Sequence, residues 1–217
     1  METAGEDDMA RRMADETFRT DQERNRYAAH VRAINELVDG LRDQDGRGWM
    51  PYVAPWHGGT EARVLSVLRD PGPKTQDGTG SGFLCTENDD PTAERQCRAF
   101  EQAGIDARDV TPWNAYPWYI NRKPDASEQK AGAEALVRLL GLMPDLRVVL
   151  LQGGDAQATW RRLEKAYPTL AAQERFRVVR TYHPGRQALW SPDPEVRAAR
   201  EQHREDALHQ VADILRA

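Results

Sequence analysis

Cysteine is scarce in this chain, which has only Cys85 and Cys97 among its 217 residues. Two thiols are too few for a four-cysteine zinc or iron–sulfur site, and they do not form the framework of a disulfide-rich domain. The five histidines are scattered, with no helical i, i+4 pair beside a carboxylate. The sequence therefore predicts neither a metal site nor a cofactor.

Long apolar runs and an excess of positive charge are also missing. No stretch approaches the length of a bilayer-spanning helix, and the opening from Glu2 to Asp8 is acidic, the wrong sign for a secretory or transit peptide. The net charge of −5, with a pI near 5.6, argues against bulk electrostatic attachment to nucleic acid but is compatible with a local basic rim. We expect a soluble, cytoplasmic monomer that does not enter a membrane.

The length of the chain suits one sizeable core rather than two. Residues 1 to about 15 are charged and weakly patterned, which predicts a frayed lead with little function. From Thr17 to Arg42 apolar residues recur at intervals of three and four, which predicts one amphipathic helix. We therefore expect residues 1–46 to be a lead and a helix packing on the body, and residues 47–217 to form the main domain.

Alternating strand and helix signals dominate the rest of the chain. The aromatic, proline and glycine residues from Trp49 to Gly59 predict a fixed loop. Four short apolar runs predict strands at Arg63–Leu68, Ala107–Thr111, Arg147–Leu151 and Arg177–Thr181. Helical patterns follow at 91–104, 127–140, 156–167 and 192–215. Strands separated by helical crossovers predict a three-layer α/β/α sandwich with a central four-stranded parallel sheet.

Polar or small residues come just after each predicted strand. Asp70, Asn114, Gly153 and His183 occupy these positions. Parallel strands bring their carboxyl ends to one edge of the sheet, where ligands bind in open α/β folds. Each residue taken alone has an ordinary structural explanation, such as a turn or a cap. Their shared position predicts one cleft that combines an acid, an amide, a glycine turn and a histidine.

At these residues the chain resembles the uracil-DNA glycosylase superfamily, which has an α/β/α sandwich around four parallel strands. The family's first motif carries an activating carboxylate, and the segment from Arg69 to Gly72, Arg-Asp-Pro-Gly, resembles it. A base-stacking aromatic lies thirteen residues beyond that carboxylate in the family, where this chain has Phe83. Asn114 corresponds to the family's base-reading asparagine, and the His-Pro-Gly turn from His183 resembles the second motif.

The resemblance implies a role for each matched residue. Asp70 and His183 would be catalytic: Asp70 would stabilise positive charge on the sugar and orient or activate water, and His183 would hydrogen-bond the departing base. The substrate-binding residues implied by the resemblance are Arg69, Pro71, Gly72, Phe83 and Asn114. Those implied for DNA binding are Lys74, Gly185, Arg186 and Gln187, with Arg122 and Lys123 as further cations near the site loops.

Three residues depart from the family's pattern. Gly72 stands where the uracil-specific branch has a tyrosine that blocks a 5-methyl group. Gln187 stands where that branch has a leucine wedge, although Arg186 and Leu189 are nearby. Gly185 replaces a serine that contacts phosphate.

The resemblance implies a DNA glycosylase of base excision repair, which hydrolyses the N-glycosidic bond of a flipped-out uracil or related deaminated base. Its partner would be DNA containing such a base. Two alternatives stay open: a protein of the same fold that binds uracil-containing or damaged DNA with little or no excision, and a small-molecule hydrolase that holds phosphate with Gly153 and Gly154.

Overall fold

The computed structural model describes residues 10–171 and 175–217. The strands in chain order are β1 (Tyr52–Val53), β2 (Val64–Leu68), β3 (Phe83–Leu84), β4 (Val110–Asn114), β5 (Val148–Gln152) and β6 (Arg177–Thr181). The α-helices are α1 (Glu16–Arg24), α2 (Ala29–Leu41), α3 (Pro91–Ala103), α4 (Ala126–Leu140), α5 (Gly154–Ala166), α6 (Pro168–Ala171), α7 (Arg186–Leu189) and α8 (Pro194–Arg216).

Four parallel strands form the central sheet in the order β4-β2-β5-β6. Leu68 is paired with Asn114, and Gln152 is paired with Thr181, so the four strands end at one edge. The inner strands read as continuous apolar runs because helices cover both faces of the sheet. The predicted α/β/α fold with four parallel strands is confirmed.

Two apolar clusters lie on opposite faces of the sheet. Leu65 and Val67 of β2 belong to the cluster that includes residues of α2, α4 and α5, whereas Val64 packs with residues of α3 and α8. Because side chains alternate along a strand, every second residue from Val64 faces α3. The same alternation puts Asn114 and Gln152, the last residues of their strands, on the α3 side.

The N-terminal part of the chain differs from the prediction. The single helix expected over Thr17–Arg42 is two helices, α1 and α2, and the side-chain amide of Asn25 donates to the carbonyl of Asp21 at 2.9 Å where α1 ends. That bond supplies a partner at the helix end and competes with continuation of the helix. Residues 1–9 of the predicted frayed lead lie outside the described residues. Arg12–Ala14 form a short 3₁₀ turn with Met13 buried.

The second strand begins and ends later than predicted, at Val110–Asn114 instead of Ala107–Thr111. The Asp106 carboxylate accepts from the amide of Arg108 at 2.7 Å, and this cap holds Ala107–Asp109 in a 3₁₀ turn. The strand then continues through Pro112, which has no N–H to donate. Proline is tolerated there because β4 is an edge strand.

The segment expected to be only a loop contains a strand. Within it, β1 pairs in parallel with β3, and Tyr52 lies opposite Phe83. This small two-stranded sheet fixes the chain between β2 and α3.

Helix α2 packs on the body of the protein through the buried side chains of Val31 and Ile34. The boundary between residues 1–46 and 47–217 stays a prediction. Among the described residues, no helix combines the length and the apolar character that crossing a bilayer requires.

Candidate active site

A cavity of about 910 Å³ opens at the carboxyl ends of the central strands. Asp70, Asn114, Gly153 and His183, the residues expected to share a cleft, all line it. They come from four different strand ends or the turns that follow, so the sheet itself brings them together. The first turns of α3, including Thr92 and Gln96, form the facing wall.

Most of the other predicted site residues line the same cavity. They are Arg69, Pro71, Gly72, Lys74, Gly185, Arg186 and Gln187. Arg122 and Lys123 are not part of the lining, although Asn121 is.

Phe83 does not line the cavity, in contrast to its expected place against the base. Its side chain is 1% exposed and packs against Tyr52, with ring centroids 6.3 Å apart. Consecutive side chains of a strand point to opposite faces, and Leu84 is the residue of β3 that lines the cavity. The aromatic side chains in the lining belong to Trp113 and Tyr182.

Asp70 presents a buried carboxylate in the turn after β2, with its side chain only 3% exposed. Arg69 donates through Nε to Oδ1, while Oδ2 is buried without a hydrogen-bond partner. Burial raises the pKa of Asp70, and the charge and hydrogen bond of Arg69, with the backbone amides of Asn121 and Arg122, oppose the rise. Oδ2 is therefore available to a water molecule or to positive charge on a ligand.

His183 is held as a neutral hydrogen-bond donor. The backbone N–H of Gly185 donates to Nδ1 at 3.0 Å, so that nitrogen accepts and the ring proton belongs on Nε2. Burial, reinforced by the positive charge of Arg69 and opposed by Asp155, lowers the pKa of His183 to about 4. Near neutral pH the imidazole therefore carries no charge and offers Nε2–H.

Two glycines are packed tightly around this imidazole. A Cβ at Gly153, where φ is +97°, would lie 3.0 Å from the Cβ of His183. A Cβ at Gly185 would lie 2.9 Å from Nδ1 of the same ring. Side chains at either position would displace the histidine, which gives Gly185 a packing role besides the DNA-binding role that the resemblance implies.

Asn114 is the last residue of β4 and is 2% exposed. Its Nδ2 is buried and has no hydrogen-bond partner. A buried donor without an acceptor costs roughly 1–3 kcal/mol, and a ligand oxygen in the cavity would remove that cost. The buried amide of Asn114 is therefore suited to donate to a polar atom of a ligand in the cavity.

Two residues that sequence reasoning missed also line the cavity. Gln96 and Gln152 each donate through Nε2 to the hydroxyl oxygen of Ser66 at 2.8 Å, and all three are buried. The sequence feature that could have indicated these two glutamines is Ser66, the lone polar residue in the apolar run of β2. A serine buried between two layers needs hydrogen-bond partners, and here α3 and β5 supply them.

The cations expected along a DNA rim differ in their surroundings. Three of them have a side-chain nitrogen close to a carboxylate oxygen: Lys74 Nζ is 3.2 Å from Asp89, Arg122 Nη2 is 2.6 Å from Glu128, and Lys123 Nζ is 3.9 Å from Asp155. Arg186 is exposed and, within the described parts of the chain, pairs with no carboxylate. Of the predicted rim cations it is the one whose charge is most available to phosphate.

One group of potential metal ligands lies outside the cavity lining. Atoms of Glu87, Cys97 and Glu101 come within 4.8 Å of one another. The carboxylate of Glu87 is already paired with Arg12 at 2.7 Å, and burial raises the pKa of the Cys97 thiol. A charge-balanced carboxylate and a protonated thiol make poor ligands, so this group fits a structural ion pair better than a metal centre.

Comparison with known protein families gives a match. The family model described as the uracil DNA glycosylase superfamily matches residues 55–211, more than half of the chain. The matched range includes every cavity residue described above and excludes α1 and α2. No curated protein matches the chain.

Proposed function

The chain belongs to the uracil DNA glycosylase superfamily, and we propose that it hydrolyses the N-glycosidic bond of an extruded uracil or related deaminated base in DNA. Membership of the superfamily supports a glycosylase-type enzyme that acts on DNA. The observation that carries the finer proposal is the meeting of Asp70, Asn114 and His183 around one cavity. A base in duplex DNA reaches such a cavity only after leaving the stack.

Asp70 serves the sugar side of the reaction. Cleavage builds positive charge on the sugar, and a buried carboxylate oxygen stabilises that charge and orients the attacking water. Oδ2 suits this role because it has no protein partner to give up. Arg69 favours the ionised form of the carboxylate and so opposes the effect of burial.

His183 serves the base side of the reaction. The departing base develops negative charge on its carbonyl oxygen, and the Nε2–H of a neutral imidazole donates to that oxygen. The bond from the amide of Gly185 to Nδ1 supports this tautomer. No proton needs to leave His183 for this stabilisation.

Asn114 reads the polar edge of the base. Its amide carries both a donor and an acceptor, which matches the imide of uracil. The unpaired Nδ2 supports this role because it calls for an acceptor such as a base carbonyl. A Cβ at Gly72 would meet no atom within 4 Å, and this open space is why mismatched thymine belongs among the candidate bases.

The test uses single-turnover incubation with oligonucleotides that carry uracil, hypoxanthine, xanthine or a thymine mismatch, followed by alkali to reveal abasic sites. Matched oligonucleotides with normal bases are the control. We expect abasic sites from the uracil substrate at least. If no substrate yields alkali-labile sites, the excision proposal is wrong.

We propose a second candidate, binding of uracil-containing or damaged DNA with little or no excision. The contact of Arg69 with Oδ1 favours it, because a carboxylate paired with a guanidinium is a weaker base. Preference for uracil-containing over thymine-containing oligonucleotides in a binding assay, without alkali-labile sites, would select this function. Hydrolysis of free nucleosides but not of oligonucleotides would instead indicate a small-molecule hydrolase.

A further inference from the structure

Asp89 lies on the wall of the cavity between two cations from distant parts of the chain. Its Oδ2 is 3.2 Å from Nζ of Lys74, and its Oδ1 is 3.5 Å from Nη1 of Arg11. Asp89 and Lys74 line the cavity, whereas Arg11 reaches Asp89 from outside it. The side chains of Asp89 and Lys74 are 42% and 50% exposed, so a ligand at the mouth of the cavity can reach both.

A carboxylate at the position of Asp89 opposes the binding of DNA. It attracts the ammonium group of Lys74 and repels the phosphates that this group would bind. A second cation beside Asp89 reduces both effects, because a carboxylate shared between two cations attracts each of them less strongly. The contact with Arg11 therefore affects how much of the positive charge of Lys74 is available to a phosphate.

The short segment that carries Arg11 is anchored next to Asp89. Met13 is buried, and its amide donates to the carbonyl of Glu87 at 2.9 Å. The guanidinium of Arg12 donates at 2.7 Å to the carboxylate of Glu87, whose side chain is also buried. Both the backbone and the side chain of Glu87 are thus bound to this segment, two residues before Asp89 on the same loop.

The backbone and the side chain of Arg11 are both constrained. Its φ is +75°, in the left-handed region that residues with a Cβ rarely adopt, so the surrounding contacts must offset the cost of this conformation. Nε and Nη2 donate to Oε2 of Glu94 in α3, at 3.0 and 2.6 Å. These two bonds fix the plane of the guanidinium and leave Nη1 beside Asp89.

Resting on the proposed function, we propose that Arg11 is a positioning residue for DNA binding, which balances the charge of Asp89 and so leaves Lys74 available to a DNA phosphate. Arg11 precedes the range 55–211 that the family model matches, so this contribution comes from outside the matched domain. The sequence predicted a frayed lead with little function here. The proposal instead gives the last residues of that lead a part in DNA binding.

The test measures binding of an unmodified duplex oligonucleotide at low salt by fluorescence anisotropy. We expect Arg11→Gln to weaken binding by about threefold to fivefold, the scale of one partly exposed ion pair, because Asp89 then pairs with Lys74 alone. Arg24→Gln removes the same charge from an exposed residue of α1 outside the cavity lining, and should change binding by less than about twofold. Unchanged binding by Arg11→Gln would overturn the proposal.

Two further variants separate this role from a purely structural one. In Arg11→Gln/Asp89→Asn no carboxylate competes for Lys74, so binding should return to within about twofold of wild type. A structural ion pair would not be rescued in this way, because the double variant lacks that pair as well. In a Lys74→Gln background, Arg11→Gln should weaken binding by less than about twofold. Failure of the rescue, or a full effect of Arg11→Gln without Lys74, would contradict the proposal.

This binding test does not depend on excision, because the oligonucleotide carries no substrate base. If the expected pattern is found in a protein that produces no alkali-labile sites, the role of Arg11 is supported and the excision proposal is wrong. If the protein excises uracil but the variants do not show the pattern, the role of Arg11 is wrong and excision is unaffected. A wild-type protein without affinity for the duplex would also contradict the role of Arg11.

Discussion

The turn after β2 and the turn after β6 bury their titratable groups in the same cavity but in different ways. Burial pushes both groups toward their neutral forms, which raises the pKa of Asp70 and lowers that of His183. Arg69 acts on both. Its positive charge opposes burial at Asp70 and reinforces burial at His183.

This difference shows how one cation can bias two protonation equilibria at once. Excision requires a negative carboxylate near the sugar and a neutral donor near the base. A guanidinium beside Asp70 favours both states at once, because it lowers the pKa of a carboxyl group and of an imidazole alike. Arg69 is adjacent to Asp70 in the chain. It therefore also affects the pKa of His183, which lies over a hundred residues later.

The largest effect on excision is expected when the negative charge of Asp70 or the hydrogen-bond donor of His183 is removed. Asp70→Asn and His183→Ala are each expected to lower single-turnover excision by on the order of a hundredfold or more, the usual scale for a charge-stabilising or acid–base group. Asp145→Asn and His209→Ala are matched controls, since both residues are exposed and outside the cavity lining. Rates equal to wild type for both site variants would remove the proposed roles.

A buried histidine outside the cavity shows the effect of burial at a site where Arg69 takes no part. His57 donates through Nδ1 to the carbonyl of Ala107 and accepts at Nε2 from the amide of Thr86, and burial lowers its pKa to about 4, from 6.5. Because the folded pKa lies below the unfolded one, acidification favours the unfolded state. The stability contributed by neutral His57 is fully present above pH 6.5 and is lost as pH falls toward 4.

We expect His57 to account for a loss on the order of 2 kcal/mol in unfolding free energy over that window, after allowance for relaxation of the site. Urea unfolding at several pH values measures it. His57→Gln should reduce the pH dependence, although it lowers stability near neutral pH, and the dependence that remains includes the contribution of His183. A wild-type protein equally stable at both ends of the window would contradict the assignment.

Arg69→Gln should remove the charge that shifts the pKa of Asp70 in one turn and of His183 in the other. Loss of the guanidinium raises the pKa of Asp70 and of His183, so the acid limb of the pH–rate profile should move to higher pH, with a fall of about tenfold near neutrality. NMR titration of the His183 ring gives the second readout. Arg69→Lys keeps the charge and should recover part of both effects. An unmoved profile together with an unmoved His183 titration would show that the turns are independent.

The smallest effect is expected where only the position of the imidazole changes. Gly185→Ala places a Cβ 2.9 Å from Nδ1 of His183, so the ring must shift, and we expect excision to fall by about fivefold through misplacement of the donor. Gly40→Ala is the matched control in α2, where a Cβ meets nothing within 4 Å. It should leave excision unchanged and raise stability by up to about 1 kcal/mol. Equal activity of both variants would show that the site tolerates a displaced ring.

The sequence predicted the features that depend on strand ends. Asp70, Asn114, Gly153 and His183 could be assigned to one edge because apolar runs mark the strands and parallel strands share their polarity. Whether each residue has its proposed role stays a prediction. Asn114 was expected after its strand but ends it, a shift that follows from the 3₁₀ turn at Ala107–Asp109.

Features that depend on side-chain direction could not be predicted in the same way. Spacing from Asp70 singled out Phe83, but the register of the small sheet turns its ring toward Tyr52 and leaves Leu84 in the cavity. Gln96 and Gln152 both donate hydrogen bonds to Ser66, and these bonds connect three parts of the chain that are distant in sequence. The break between α1 and α2 falls at Asn25, whose side-chain amide donates to the carbonyl of Asp21, a local bond that periodicity does not detect.

The proline in the edge strand has a consequence for how copies of this protein meet. The carbonyl of Val110 points away from β2 and accepts from the amide of Gly58 at 3.1 Å, so Pro112, two residues on, turns its missing donor to the same outer side. An approaching strand would find a gap in the ladder there, and such gaps discourage the sheet-to-sheet joining that starts aggregation. We therefore expect the edge of the sheet beside Asn114 to resist pairing with a second copy of the chain.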